Sequence, residues 1–275
     1  MIAALRSELR KTMTTRMWWV LLLTMVGYMA FLAGVMAFAF AFEAPGAGVG
    51  ATPGPESPEG MALAPLDLAL TVYTLAPTLG YVFPVIMGAL SVSGEFRHMT
   101  VTPTLLAEPR RSVVLGAKLL AGLPIGLLYG VVGTLTTIGT GAAVLAALGE
   151  DPMLTDPEVL RTAAFAVLAM TVWAVVGVGF GAALKNQVVA VVVVLAFTQL
   201  VEPTIRFALG FVESLQGVPK WLPGAAGEAI AGASLYSASG INELLPRGQG
   251  LVVLLGYALL LAAVARLTTL RRDIT

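Results

Sequence analysis

His98 is the only histidine in the chain, and cysteine is absent. The residue types that build thiolate nucleophiles, disulfides, thiolate metal sites and multi-histidine centres are therefore missing. No Gly-x-x-x-x-Gly-Lys-Ser/Thr run is present to cradle nucleotide phosphates, and no Gly-x-Ser-x-Gly elbow to expose a hydrolytic serine. The expected catalytic, cofactor-binding and metal-ligating sets are empty. His98, in a polar loop, reads as a surface contact rather than a catalyst.

The remaining polar chemistry is set in apolar surroundings. Glu202 and Arg206 stand four residues apart, so a helix places them on one face as an ion pair. At membrane depth such a pair faces a cavity and marks a gate or passage. The competing reading, favoured because the apolar run before Glu202 is short, ends the helix near Val201 and sends both charges to the headgroup layer. Thr71, Thr74, Thr78, Tyr81, Thr198 and Gln199, together with Glu202 and Arg206, form a candidate translocation pathway. Its mostly hydroxyl-bearing lining suits a hydrophobic or amphipathic compound better than a bare ion, which needs coordinating charge or carbonyl rings.

The elements that must position these groups are transmembrane helices. Of the 275 residues, 57% are apolar and 12% charged, with mean hydropathy +0.88. A soluble domain carries about 25% charged residues, so a soluble enzyme fold is disfavoured. Crossing a hydrocarbon core of about 30 Å takes roughly 20 apolar residues in helical form. Six stretches meet or approach this, at 17–42, 68–93, 113–149, 162–184, 188–212 and 248–267, predicting an all-α membrane protein with a single transmembrane domain. Five have charge-free centres, which argues against a membrane-embedded enzyme with convergent acid and base groups. Gly122, Gly126 and Gly130, and then Gly177 and Gly181, recur every fourth residue and predict close helix packing, within the bundle or between copies.

Charge sets the expected orientation. Lys plus Arg equals Asp plus Glu at 16 each, and twelve of the basic residues fall on the side holding the amino terminus, the link from Gly94 to Lys118, Lys185 and the tail. By the positive-inside rule that side, with both termini, is cytoplasmic. The balanced total gives no sign of a nucleic-acid partner. The first apolar run, 26 residues long, exceeds the about 7–15 residues of a signal-peptide core and reads as an uncleaved anchor, despite the small-x-small sites at Ala37-Phe38-Ala39 and Ala39-Phe40-Ala41. The 43–65 link, rich in Gly and Pro, reads as a flexible loop.

Before the first span, Ile2, Leu5, Leu9 and Met13 alternate with Arg6, Arg10 and Lys11 over residues 1–16. Two uses fit: an amphipathic helix lying in the headgroup layer, or a basic flank that only directs insertion. The link at 94–112 sets Phe96, Met99, Leu105 and Leu106 among charges, as a docking surface does. A loop dipping into lipid is the alternative. Apolar runs at 207–212 and 224–235, separated by Val218-Pro219-Lys220-Trp221-Leu222-Pro223, are too short to cross and predict a re-entrant outer segment over 205–240.

The run Gly94-Glu95-Phe96-Arg97-His98 followed by Thr100, then Leu105-Leu106-Ala107-Glu108-Pro109-Arg110-Arg111 and Lys118, resembles the cytoplasmic loop of ABC type-2 permeases, particularly actinobacterial ones. The amino-terminal elbow helix, six spans and outer re-entrant segment are similar to that family along essentially the whole chain. The resemblance implies a coupling helix in this link that inserts into a separately encoded ATPase subunit. Glu95, Phe96, Arg97, His98 and Thr100 are then the contacts, and the ATPase, not this chain, binds ATP and Mg. It also implies a second permease copy or paralogue and export of a drug, antibiotic or lipid-like compound across a bacterial plasma membrane. Relatives commonly have Gly immediately before that Thr, where this chain has Met99, which puts the local turn geometry in question. A non-transporting membrane anchor or sensor that docks a cytoplasmic partner is the rival reading.

Overall fold

The computed structural model describes residues 2–42, 64–210, 212–215, 217–240 and 243–268, and none of these is in a strand. Most of the 43–65 link, and the tail with Arg271 and Arg272, lie outside the described residues. Among those described, six helices are long and apolar enough to cross a membrane: Met17–Ala41, Pro65–Arg97, Arg111–Ala147, Pro157–Ala183, Gln187–Gly210 and Arg247–Leu267. This is a multi-pass membrane protein, and the count agrees with the expectation from sequence.

In chain order the first span follows α1 (Ile2–Thr14) as α2 (Met17–Phe42). The second is built from α3 (Pro65–Tyr73) and α4 (Val82–Arg97), and a short α5 (Val101–Ala107) leads into the third, α6 (Arg111–Ala147). The fourth is α7 (Pro157–Ala183), and the fifth joins α8 (Gln187–Ala196) to α9 (Glu202–Gly210). Then α10 (Pro223–Ala231) and α11 (Leu235–Ala238) precede the last span, α12 (Arg247–Leu267). The ends α1, α5 and the first turns of α6 gather at one end of the bundle, the amino-terminal face.

Both compound spans are interrupted in the same way. A π-helical turn at Ala76–Gly80 precedes Pro84, and another at Phe197–Val201 precedes Pro203. Each proline ring would clash with the carbonyl four residues earlier, at Gly80 and Gln199, and a widened turn there relieves the clash without ending the helix. The fifth span therefore does not stop near Val201. Glu202 and Arg206 lie inside it, 1% and 2% exposed, which corrects the favoured expectation that they reach headgroups.

The core is organised on α7, which packs against α4, α6, α10 and α12. Side chains added at Gly177 and Gly181 would collide with the backbone carbonyls of Val85 and Ala89, so α4 and α7 run parallel in backbone contact. Gly126 and Gly130 of α6 meet Thr171 and Val167 of α7 in an antiparallel pair. The glycine repeats thus serve packing within the chain. On α2, the fully buried Met25, Met29, Ala33 and Ala37 form a single stripe at four-residue spacing toward the bundle. The first and fifth spans are only 22% buried over their most apolar window, against 72% for the second, so they present wide apolar faces outward.

Candidate functional site

At the amino-terminal face four charges form a closed ring. Lys11 Nζ lies 2.8 Å from Glu8 Oε1 and 2.7 Å from Glu95 Oε1, while Lys118 Nζ lies 2.6 Å from Glu8 Oε2 and 2.8 Å from Glu95 Oε2. Lys11 also donates to Thr104 Oγ1 at 3.0 Å. The ring joins α1, α4, α5 and α6, and its carboxylates and Lys118 are buried. Burial pushes the Lys11 ammonium down, but hydrogen bonds and charge from Glu8 and Glu95 outweigh it and hold the group above its ordinary value. The amphipathic expectation for α1 thus needs one addition: Glu8 and Thr12 face protein, while Arg6 and Arg10 are exposed.

The five residues expected to contact an ATPase separate accordingly. The side chain of Glu95 is turned inward into the ring and only 7% exposed, so it is not offered to a partner at this face. Phe96 packs half-buried on a small core of Val92, Leu115, Val178, Ala182, Ala262 and Ala265. Arg97 is exposed and donates to Gln187 Oε1 at 3.3 Å, and His98 and Thr100 are exposed. The bare apolar groups are instead Met99 and Leu106, 75% and 78% exposed. Beside them Glu108 accepts from Arg110 Nε at 2.8 Å and Nη2 at 3.0 Å, which lowers its carboxyl to about 2.

Helix α4 ends in a Schellman turn. Thr100 N donates to Glu95 O at 2.9 Å and Met99 N to Phe96 O at 3.4 Å, with Met99 at φ +57°. The turn therefore keeps the left-handed residue that glycine usually supplies, and Met99 adopts it at a steric cost.

A second buried cluster lies between the fifth span and α10. Arg206 donates to Glu202 Oε1 from Nε (3.1 Å) and Nη2 (2.8 Å), and to Glu228 Oε1 from Nη1 (2.7 Å). Ala225 N, in the first turn of α10, donates to Glu202 Oε1 at 3.1 Å, a placement the helix dipole favours. A Cβ on Gly224 would lie 2.5 Å from Glu202 Oε1 and 2.7 Å from Arg206 Nη2, so a larger residue there would have to displace the ends of both side chains. Arg206 also sits 5.1 Å from the centre of the Tyr236 ring.

The cluster borders a cavity of about 90 Å³ lined by Thr78, Leu79, Tyr81, Thr198, Gln199, Glu202, Pro203, Arg206, Glu228 and Tyr236. Six of the eight expected pathway residues are therefore brought together. Thr71 and Thr74 are not among them; they lie on α3 and at its C-cap, before the π-turn, and their hydroxyls donate to Asp67 O and Leu70 O, both 2.7 Å away. Drug-sized ligands occupy about 300–1,000 Å³, so this volume admits a few waters or a small ion rather than a cargo molecule. Glu228 is not among the residues the sequence singles out, because its run, 224–235, reads as apolar. A lone carboxylate within such a run was the signal available.

Comparison of the chain with family models and with curated proteins finds no match.

Proposed function

We propose that the chain is the membrane subunit of an ATP-driven exporter of the ABC type-2 kind, with α1 as its elbow helix and α5 as its coupling helix. A separate cytoplasmic ATPase supplies the energy, and a second copy or close paralogue completes the translocation route. The carrying observation is that Met99, in the turn before α5, and Leu106 on α5 are bare while Thr104 on α5 is bonded to the charge ring that grips α1, α4 and α6. A force applied to α5 by a docked motor passes through this ring into the second and third spans.

The excess of basic residues at the amino-terminal face supports its placement in the cytoplasm of a bacterial plasma membrane. The outward apolar faces of the first and fifth spans support pairing with a second copy. The smallness of the internal cavity supports a cargo route between copies, taken by a hydrophobic or amphipathic compound. No catalytic role falls to this chain in the proposal.

Purification of the tagged chain from its native host in mild detergent, with mass and composition of the particle, tests the reading. The expected particle has two permease chains and two ATPase subunits, and Leu106→Asp is expected to release the ATPase while the chain remains folded. Recovery of the chain without an ATPase after crosslinking at the α5 face would refute the proposal. Recovery with a cytoplasmic partner but without ATP-dependent cargo movement in vesicles would favour an anchor or sensor.

A further inference from the structure

The two buried charge clusters differ in their balance. At the amino-terminal face Glu8 and Glu95 meet Lys11 and Lys118, two carboxylates against two ammonium groups. Between α9 and α10, Glu202 and Glu228 share Arg206 alone, and all three side chains are 1–3% exposed. With both carboxylates ionised this second cluster carries one uncompensated negative charge, which a low-dielectric interior strongly disfavours.

Geometry leaves a place for the missing positive charge. The guanidinium and the Ala225 amide occupy Oε1 of Glu202, while its Oε2 is buried without a hydrogen-bond partner. Thr78 Oγ1, on the wall of the same cavity, is likewise buried and unpartnered. A metal cation would have to share the space with the guanidinium, and among the described residues no group of three or more carboxylate or imidazole side chains is gathered to hold one. Two carboxylates bridged by one cation cannot comfortably both ionise, and the smallest compensating charge is a proton.

We propose that this cavity is a proton-binding site, in which Glu202 and Glu228 hold one proton between them across Arg206. The proton rests on a carboxylate oxygen that the guanidinium does not occupy, with the Thr78 hydroxyl and the cavity before it. The other titratable groups facing the site are Tyr81 from the turn before α4, Tyr236 on α11 and Tyr257 on α12. Tyr257 donates to Trp221 O at 3.2 Å, and Arg247 at the start of α12 is turned to Glu158 at 2.5 Å. None of these neutralises the cluster. Proton loss would leave α10 latched to the fifth span through a charged cluster in place of a neutral one, so alkaline conditions loosen the latch. This inference does not depend on the chain being an exporter.

Infrared spectroscopy of the full-length chain in lipid nanodiscs in D₂O at neutral pH tests it. The expected result is a protonated-carboxyl C=O band equivalent to a single group per chain, absent in both Glu202→Gln and Glu228→Gln and retained in Glu158→Gln. Absence of the band from the wild-type protein, or its persistence in both cluster variants, would overturn the proposal. The wild-type spectrum decides even where a variant does not fold. Thermal midpoints in sodium and choline chloride at equal ionic strength form a second arm. Equal midpoints support the proton, and a sodium-specific rise that disappears in Glu228→Gln assigns the site to a metal ion instead.

Discussion

Tyr81 Oη donates to the carbonyl of Thr198 at 3.2 Å, across 117 residues of sequence. The bond joins the two widened turns, since Tyr81 follows the π-turn of the second span and Thr198 lies within that of the fifth. The same tyrosine ring stacks on Trp173 at 4.3 Å between centroids, which fixes its position against the bundle core. The two proline-driven irregularities thus face each other, and the cavity is the space between them.

Replacing Tyr81 with Phe keeps the stack and removes the bridge. It leaves the Thr198 carbonyl without this donor, an expected loss of about 1–3 kcal/mol. Denaturant unfolding in detergent measures it, and an unchanged midpoint would show that the two turns are held by packing alone.

Lys118→Met leaves Glu8 and Glu95 facing Lys11 alone. Removing one partner from a buried ion cluster costs about 3–5 kcal/mol. Adding Glu95→Gln restores a one-to-one balance, so the double variant is expected to be more stable than Lys118→Met by itself. A strictly additive double-mutant cycle would contradict a coupled ring.

Met99→Gly removes the left-handed strain at the end of α4 and is expected to stabilise the turn by about 1 kcal/mol. Met99→Val is expected to destabilise it, because a β-branched residue tolerates positive φ poorly. Hydrogen exchange at the amides of Met99 and Thr100 reads both effects, and equal protection in the two variants would exclude strain at this site.

The anchoring of α1 by Lys11 should respond to pH only at the alkaline extreme. The folded Lys11 value lies above its ordinary 10.5, so the stability it contributes is fully present below about 10.5 and is lost as pH rises through the higher folded value. Glu108 has the opposite sign: its contribution is present above 4.5 and is lost as pH falls through about 2. Because the chain lacks cysteine, Met13→Cys gives a single label on α1 whose environment can be followed by fluorescence. Release of α1 between neutral and mildly alkaline pH would contradict the ring as its anchor.

Much of this arrangement was legible in the sequence. Apolar runs and the physics of unsatisfied backbone in lipid determined the six spans, and the spacing of Glu202 and Arg206 determined that a continuous helix would pair them. The polar residues Thr78, Tyr81, Thr198 and Gln199 stood out because hydroxyls and amides are rare in such surroundings. Only tertiary structure decided that the fifth span continues past Pro203, because a π-turn accommodates a proline that local propensity treats as a break. It alone turned Glu95 inward and left Met99 and Leu106 bare, since the direction of a side chain at a helix end depends on which neighbours supply its counter-charge. Glu228 joined Arg206 from 22 residues away for the same reason. Composition records how many charges a membrane protein carries, but their pairing across helices is settled by packing, where each buried charge must find its partner.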